Sequence, residues 1–282
     1  MGIERLGVVG SGIMGSGIAE VAAKAGIEVV LRSRKQETAD AMLASLEKSL
    51  GKQVEKGKLE EQAAKETLAR VTAHHDLHAL SECDLVLESV VEDLAVKKEL
   101  FTRLDDILED DAILATNTST LPVVELAVAT ERPDRVCGIH FFNPAPMMSL
   151  VEIIRPLTAS DETIAAATAF ASACGKDPVE VKDRAGFIVN ALLFPYLNNA
   201  VRMLEAGTAS RDDIDTAMKG GCNFPMGPLA LLDLVGLDTS LSILDALYTE
   251  FKDPNYAAAP TLRRLVSAQK LGRKSGEGFY TY

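Results

Sequence analysis

Leu6-Gly-Val-Val-Gly10-Ser-Gly12-Ile-Met-Gly15 sets the architecture of this 282-residue chain. The apolar run Leu6 to Gly10 reads as a buried strand, and Ile13 to Lys24 reads as a helix that Gly26 stops. Three glycines at G-x-G-x-x-G spacing join them. Gly10 permits a tight turn, Gly12 lets the backbone approach a pyrophosphate, and Gly15 lets the helix lie against the strand. The free N–H groups at a helix start favour a phosphate, so Gly10, Ser11, Gly12, Ile13, Met14 and Gly15 form a candidate dinucleotide loop. Glycine-rich turns also occur for structural reasons alone. What raises this one above them is its place between a strand and a helix, with a second strand following.

That second strand is Ile27 to Leu31. NAD enzymes usually carry an acidic residue at its end, which bonds the ribose hydroxyls. Here the order is Leu31-Arg32-Ser33-Arg34, with no acid and two cations flanking a serine. Arg32 and Arg34 would attract a 2'-phosphate that a carboxylate would repel. The cofactor reading is therefore NADP(H) favoured, NAD(H) possible.

Outward from this core, Gln36 to Arg70 is charged with apolar residues at helical spacing and reads as a helical hairpin turning near Gly57. Asp84 to Val90 is a strand, Leu94 to Leu108 a helix and Ala112 to Thr116 a strand. Val136 to His140, Leu150 to Ile154 and Pro178 to Val181 are further strand-like runs. After Asp183 such runs vanish. Phe187 to Glu205 reads as a helix that Gly207 ends, and Ser210 with Asp213 starts the next. The expectation is an α/β fold: a Rossmann-type, doubly wound, mainly parallel sheet over 1–184, with the hairpin inserted at about 36–70. An all-helical C-terminal domain, for substrate and dimerisation, follows over 185–282. Its helices carry more apolar residues than about 100 residues bury alone, which predicts a homodimer.

The formal net charge is −12, a surface that repels nucleic acid and anionic lipid. No stretch has the length of a membrane span or the form of a signal peptide, and the chain reads as cytoplasmic. The four cysteines, Cys83, Cys137, Cys174 and Cys222, are far apart and read as reduced, buried or half-buried thiols. His74-His-Asp-Leu-His78 reads as a polar loop, and no metal site is expected.

His140 ends a strand-like run, where strands of an α/β sheet meet their ligands. Glu152 lies in Leu150-Val-Glu-Ile-Ile154. A turn around Pro144 to Met148 would bring the two side by side. An imidazole beside a carboxylate has a fixed tautomer and can exchange a proton near neutral pH.

Taken together, the glycine loop, Asn117-Thr-Ser119, His140-Phe-Phe-Asn-Pro144, Leu150-Val-Glu152, Gly186-Phe-Ile-Val-Asn190, Asp213-Ile-Asp-Thr-Ala-Met218, Met226-Gly-Pro228 and Gly276-Glu-Gly-Phe-Tyr280 closely resemble the 3-hydroxyacyl-CoA dehydrogenase family, end to end. The length resembles its short bacterial 3-hydroxybutyryl-CoA members. The resemblance implies interconversion of a short (S)-3-hydroxyacyl-CoA and its 3-oxo form, with His140 as general base or acid and Glu152 orienting it. It implies that Ser119 and Asn190 hold substrate oxygens in a cleft between the domains. It places Glu92, Lys97, Asn117, Asn143 and Lys274 on the cofactor, and Ser49 and Lys56 on the coenzyme A tail; Lys52, one helical turn before Lys56, is a candidate helper there. Ser33 departs from the pattern, since NAD-using members carry Asp there.

Three other readings compete. A hydrolase triad of Ser119, His140 and Glu152 lacks a nucleophile elbow around Ser119 and leaves the glycine loop unexplained. Other β-hydroxyacid dehydrogenases resemble one another in using a helical lysine as the catalytic group. An inactive nucleotide-binding protein would need no intact set of Ser119, His140, Glu152 and Asn190.

Overall fold

The computed structural model describes residues 2–282. One compact unit ends at Asp183, and a second runs Arg184–Tyr282. The first holds β1 (Arg5–Val9), α1 (Ile13–Lys24), β2 (Glu28–Arg32), α2 (Gln36–Glu55), α3 (Glu61–Ala69), β3 (Val71–His74), β4 (Leu85–Glu88), α4 (Leu94–Asp105), β5 (Ile113–Thr116), α5 (Val123–Ala127), β6 (Val136–Phe141), β7 (Leu150–Arg155), α6 (Asp161–Ala173) and β8 (Asp177–Lys182). Among the described residues the strands form one eight-stranded sheet in the order β3-β2-β1-β4-β5-β6-β7-β8. All neighbours are parallel except β6 and β7. The order reverses between β1 and β4, so their carboxyl ends flank the crevice where such sheets bind ligands.

Residue types explain the packing. Leu6, Val8, Val29 and Leu31 are buried on the face covered by α1, with Met42 and Leu46 of α2 in the same core. Alternation along a strand sends Val30 and Arg32 to the opposite face.

Strand β3 and helices α5 and α6 lie outside the sequence expectations. Val71–His74 is an edge strand, so His74 belongs to the sheet rather than to a loop. Only Val71 of its four residues is buried, so no apolar run marks it; parallel pairing with β2 makes it a strand. Helix α6 is capped by Ser160, whose side chain accepts the Thr163 N–H. The thiols are free, but Cys222 is exposed, contrary to the expectation of buried or half-buried cysteines.

The second unit is helical: α7 (Val189–Glu205), α8 (Arg211–Cys222), α9 (Pro228–Val235), α10 (Leu237–Phe251) and α11 (Pro260–Ser267). Two buried carboxylates organise it. Asp215 accepts the Leu229 and Ala230 N–H groups at the start of α9. Asp233 accepts the Phe279 and Tyr280 N–H groups. A Cβ on Gly227 would lie 2.2 Å from the Asp215 side chain, and one on Gly278 2.0 Å from Asp233, so both positions exclude any larger residue. The motifs around 213–218, 226–228 and 276–280 are therefore fold determinants of this unit. Among the described residues no helix is long and apolar enough to cross a membrane.

Candidate active site

The reversal between β6 and β7 sets the chemistry. Its register pairs His140 directly with Glu152, so their side chains share one face of the sheet. His140 Nδ1 lies 2.8 Å from Glu152 Oε2, and His140 Nε2 lies 3.0 Å from Ser119 Oγ. The imidazole and the carboxylate are both buried, at 4% and 1% exposure. An ionised carboxylate only accepts, so the assigned tautomer carries its proton on Nδ1 and offers the Nε2 lone pair to Ser119. The Phe142 ring packs 4.5 Å from the imidazole, centroid to centroid, and restricts its rotation.

Ser119 follows the carboxyl end of β5, in a segment held by Glu92. Glu92 Oε1 accepts the Ser119 N–H at 3.1 Å and hydroxyl hydrogen bonds from Thr118 and Thr120. Glu92 is itself tied to Lys97, whose Nζ lies 3.3 Å from Glu92 Oε2 and 2.6 Å from Glu88 Oε1. Glu88 also accepts from Thr116 Oγ1 at 2.7 Å and from the Val90 N–H. A continuous set of polar contacts thus runs from the end of β4 to the imidazole. Lys97 is 1% exposed and pairs with both carboxylates. Glu88, Thr116 and Thr118 were missed by sequence reasoning. A visible signal existed for Glu88: it is a charged residue closing the all-apolar run Leu85-Val-Leu.

The glycine loop fits a dinucleotide. Gly10 has φ +136°, and a Cβ there would lie 2.2 Å from the Ser89 carbonyl oxygen. A Cβ on Gly15 would lie 2.4 Å from the Gly10 carbonyl oxygen. Around Gly12 a Cβ would meet nothing within 4 Å, so its backbone faces open space. Helix α1 begins with no side-chain cap and no acidic residue in its first turn, which leaves its N–H groups for an anion.

The remaining candidates fall in several places. Asn117 Oδ1 accepts the Phe141 N–H at 2.8 Å, tying β5 to β6. Asn143 is exposed on the loop after β6. Ser33 is buried, Arg34 is exposed, and Arg32 donates through Nε to the His75 carbonyl. Ser49 donates to Glu20 Oε2 at 2.8 Å on the wall of a groove between α1 and α2 that starts at Ser11 and Gly12. Glu20 is buried. Burial raises its pKa, but hydrogen bonds from Lys24, Gln53 and Ser49 outweigh this and hold the carboxyl below its usual range. Lys52 and Lys56 are exposed on the same hairpin. Asn190 and Lys274 belong to the helical unit. Asn190 is buried in the first turn of α7, and Lys274 Nζ pairs with Asp238.

Comparison with known proteins covers nearly the whole chain. Residues 5–184 match the family model of the 3-hydroxyacyl-CoA dehydrogenase NAD binding domain, and residues 186–282 match that of the 3-hydroxyacyl-CoA dehydrogenase C-terminal domain. The chain belongs to the 3-hydroxyacyl-CoA dehydrogenase family. It is 50% identical to the 3-hydroxybutyryl-CoA dehydrogenase of Mycobacterium tuberculosis, over 99% of both chains. It is 47% identical to that of Clostridioides difficile, again over 99% of both. Among solved structures it resembles (S)-3-hydroxybutyryl-CoA dehydrogenase PaaH1 from Ralstonia eutropha, with TM-score 0.97, 42% identity and 99% of each chain covered. The first unit of this 3-hydroxyacyl-CoA dehydrogenase is accordingly an NAD-binding domain.

The contact between His140 Nδ1 and Glu152 Oε2 can be tested by substitution. Replacing Glu152 with Gln should lower kcat roughly tenfold or more, because the amide can present N–H to Nδ1 and favour the wrong tautomer. The check is steady-state kinetics beside a thermal melt: a full loss of folding would make Glu152 a structural residue first.

Proposed function

We propose that this enzyme interconverts a short (S)-3-hydroxyacyl-CoA, with 3-hydroxybutyryl-CoA as the reference substrate, and its 3-oxoacyl-CoA. The observation that carries this is the Ser119–His140–Glu152 relay, set in the same sheet as an open glycine loop. A bound nicotinamide supplies the hydride acceptor, or in reverse the donor, for C3 of the acyl group. His140 Nε2 takes the C3 hydroxyl proton during oxidation and returns it to the 3-oxo oxygen during reduction. The Glu152 carboxylate keeps the Nδ1 proton in place and stabilises the imidazolium that forms. Ser119 Oγ, 3.0 Å from Nε2, is proposed to bond the same substrate oxygen. The assignment of Asn190 to that oxygen, and of Asn143 and Lys274 to the cofactor, follows the family resemblance alone. Ser49 and Lys56 are proposed for the coenzyme A tail on the same ground, with Lys52 as a helper one helical turn before Lys56. The test is consumption of reduced nicotinamide absorbance with acetoacetyl-CoA. No turnover with any short 3-oxoacyl-CoA and either cofactor would sink the reading.

The cofactor proposal is NADP(H) in preference to NAD(H). Ser33 stands where a carboxylate would reject a 2'-phosphate, and Arg34 is exposed next to it. Ser33→Asp should lower the ratio of kcat/KM for NADPH over NADH by about tenfold or more, because a carboxylate at this position repels the phosphate and weakens its charge-assisted hydrogen bonding. A ratio unmoved by this change would remove the argument.

A homodimer through the helical unit completes the proposal. Leu192, Phe224 and Leu234 are 72%, 42% and 48% exposed there, apolar area that a partner copy would cover. Light scattering at micromolar concentration should give twice the chain mass. The monomer mass would count against a dimer.

A further inference from the structure

We propose that Thr38, together with Arg34, selects the 2'-phosphorylated dinucleotide, and that Ser33 acts through Thr38. This rests on the NADP(H) reading above and assigns the residues that carry it. Arg32 and Arg34 differ in their surroundings: Arg32 is half-buried and hydrogen-bonded, whereas Arg34 is exposed. Arg32 lies on the face opposite Ser33. Its Nε donates to the His75 carbonyl at 3.2 Å, and its side chain lines a cavity of about 570 Å³ with Asp76 and Arg103. Burial, then the nearby Arg103 and Arg34 cations, lower its pKa. Arg32 is thus engaged at that cavity.

Ser33 falls on the α1 and α2 face. It is 5% exposed, and its Oγ lies 2.6 Å from Thr38 Oγ1. Thr38 Oγ1 donates to the Lys35 carbonyl at 2.8 Å, so the proton shared by the two hydroxyls comes from Ser33. Ser33 is buried behind Thr38, whereas Thr38 is exposed and lines the groove that starts at Ser11 and Gly12. A phosphate arriving from the glycine loop meets Thr38, not Ser33. The Thr38 hydroxyl needs only to rotate from the Lys35 carbonyl toward the phosphate, and it can still accept from Ser33 as it does so. Arg34, one residue beyond Ser33, supplies the opposite charge. A plain ribose 2'-hydroxyl would give Thr38 a neutral partner and Arg34 none, so both residues favour the phosphorylated form. An acid at position 33 would capture the Thr38 hydroxyl as well as repel the phosphate.

The test is isothermal titration of the full chain with 2',5'-ADP and with 5'-AMP. The native chain should bind 2',5'-ADP about tenfold or more tighter. Thr38→Val and Arg34→Ala should each cut that ratio by roughly five- to tenfold at unchanged melting temperature. Thr38→Ser and Arg32→Ala should keep it. If the native chain discriminates and Thr38→Val still does so fully, or weakens both ligands equally, the Thr38 assignment is overturned while the cofactor reading stands. If Arg32→Ala removes the preference, the assignment to Arg34 and Thr38 is likewise overturned. If the native chain binds both probes alike, the cofactor reading falls and takes this assignment with it.

Discussion

Replacing His140 with Gln should lower kcat for acetoacetyl-CoA reduction by roughly 10²- to 10⁴-fold, the range general acid–base catalysis supplies. The lower bound corresponds to about 2.7 kcal/mol of transition-state stabilisation. Gln is close in volume and polar, so the buried position stays filled. Its amide cannot take a proton at neutral pH, and Ser119 then faces an amide in place of the Nε2 lone pair. Cofactor binding should be unchanged, because the glycine loop follows β1 and His140 lies on β6, with two strands between them in the sheet. A fluorescence titration with reduced cofactor separates the two effects. Near-native kcat would end the general-base mechanism, and a parallel loss of cofactor affinity would show that His140 supports the fold of the site.

The second large effect is on stability. Lys97→Met should destabilise the protein by about 3–5 kcal/mol, because it leaves the carboxylate of Glu88 buried without its cation. Glu88 is 0% and Lys97 1% exposed, so water screens little of that loss. For a domain of this size such a change lowers Tm by roughly 10 °C. Thr116 and the Val90 N–H still donate to Glu88, which argues for the lower end. Adding Glu88→Gln should recover part of the loss, since a neutral amide has less desolvation to offset and still accepts from Thr116. A melt unchanged by Lys97→Met would mean that the pair is solvated in solution and contributes nothing. Activity in the single variant should also fall, because Glu92 loses the cation that holds it beside Ser119.

The sequence by itself determined the strand–glycine–helix start, the hairpin from Gln36 onward and the change to helices after Asp183. Each is written in local physics: apolar period, positive-φ glycines and caps such as Ser210, whose side chain accepts the Asp213 N–H. It also marked His140 and Glu152 as a pair worth testing. Tertiary structure alone decided three things. It made Val71–His74 a strand, because a four-residue edge owes its form to hydrogen bonds with β2 rather than to its own residues. It revealed the Glu88–Lys97–Glu92 set, which β4, α4 and the turn between them bring together and which the loop after β5 joins through Ser119. And it gave Arg32 and Arg34, which look equivalent around Ser33, different surroundings: Arg32 donates to the His75 carbonyl, whereas Arg34 is exposed. Local sequence encodes dihedral preference and burial pattern, whereas what a charge meets depends on strands remote in the chain.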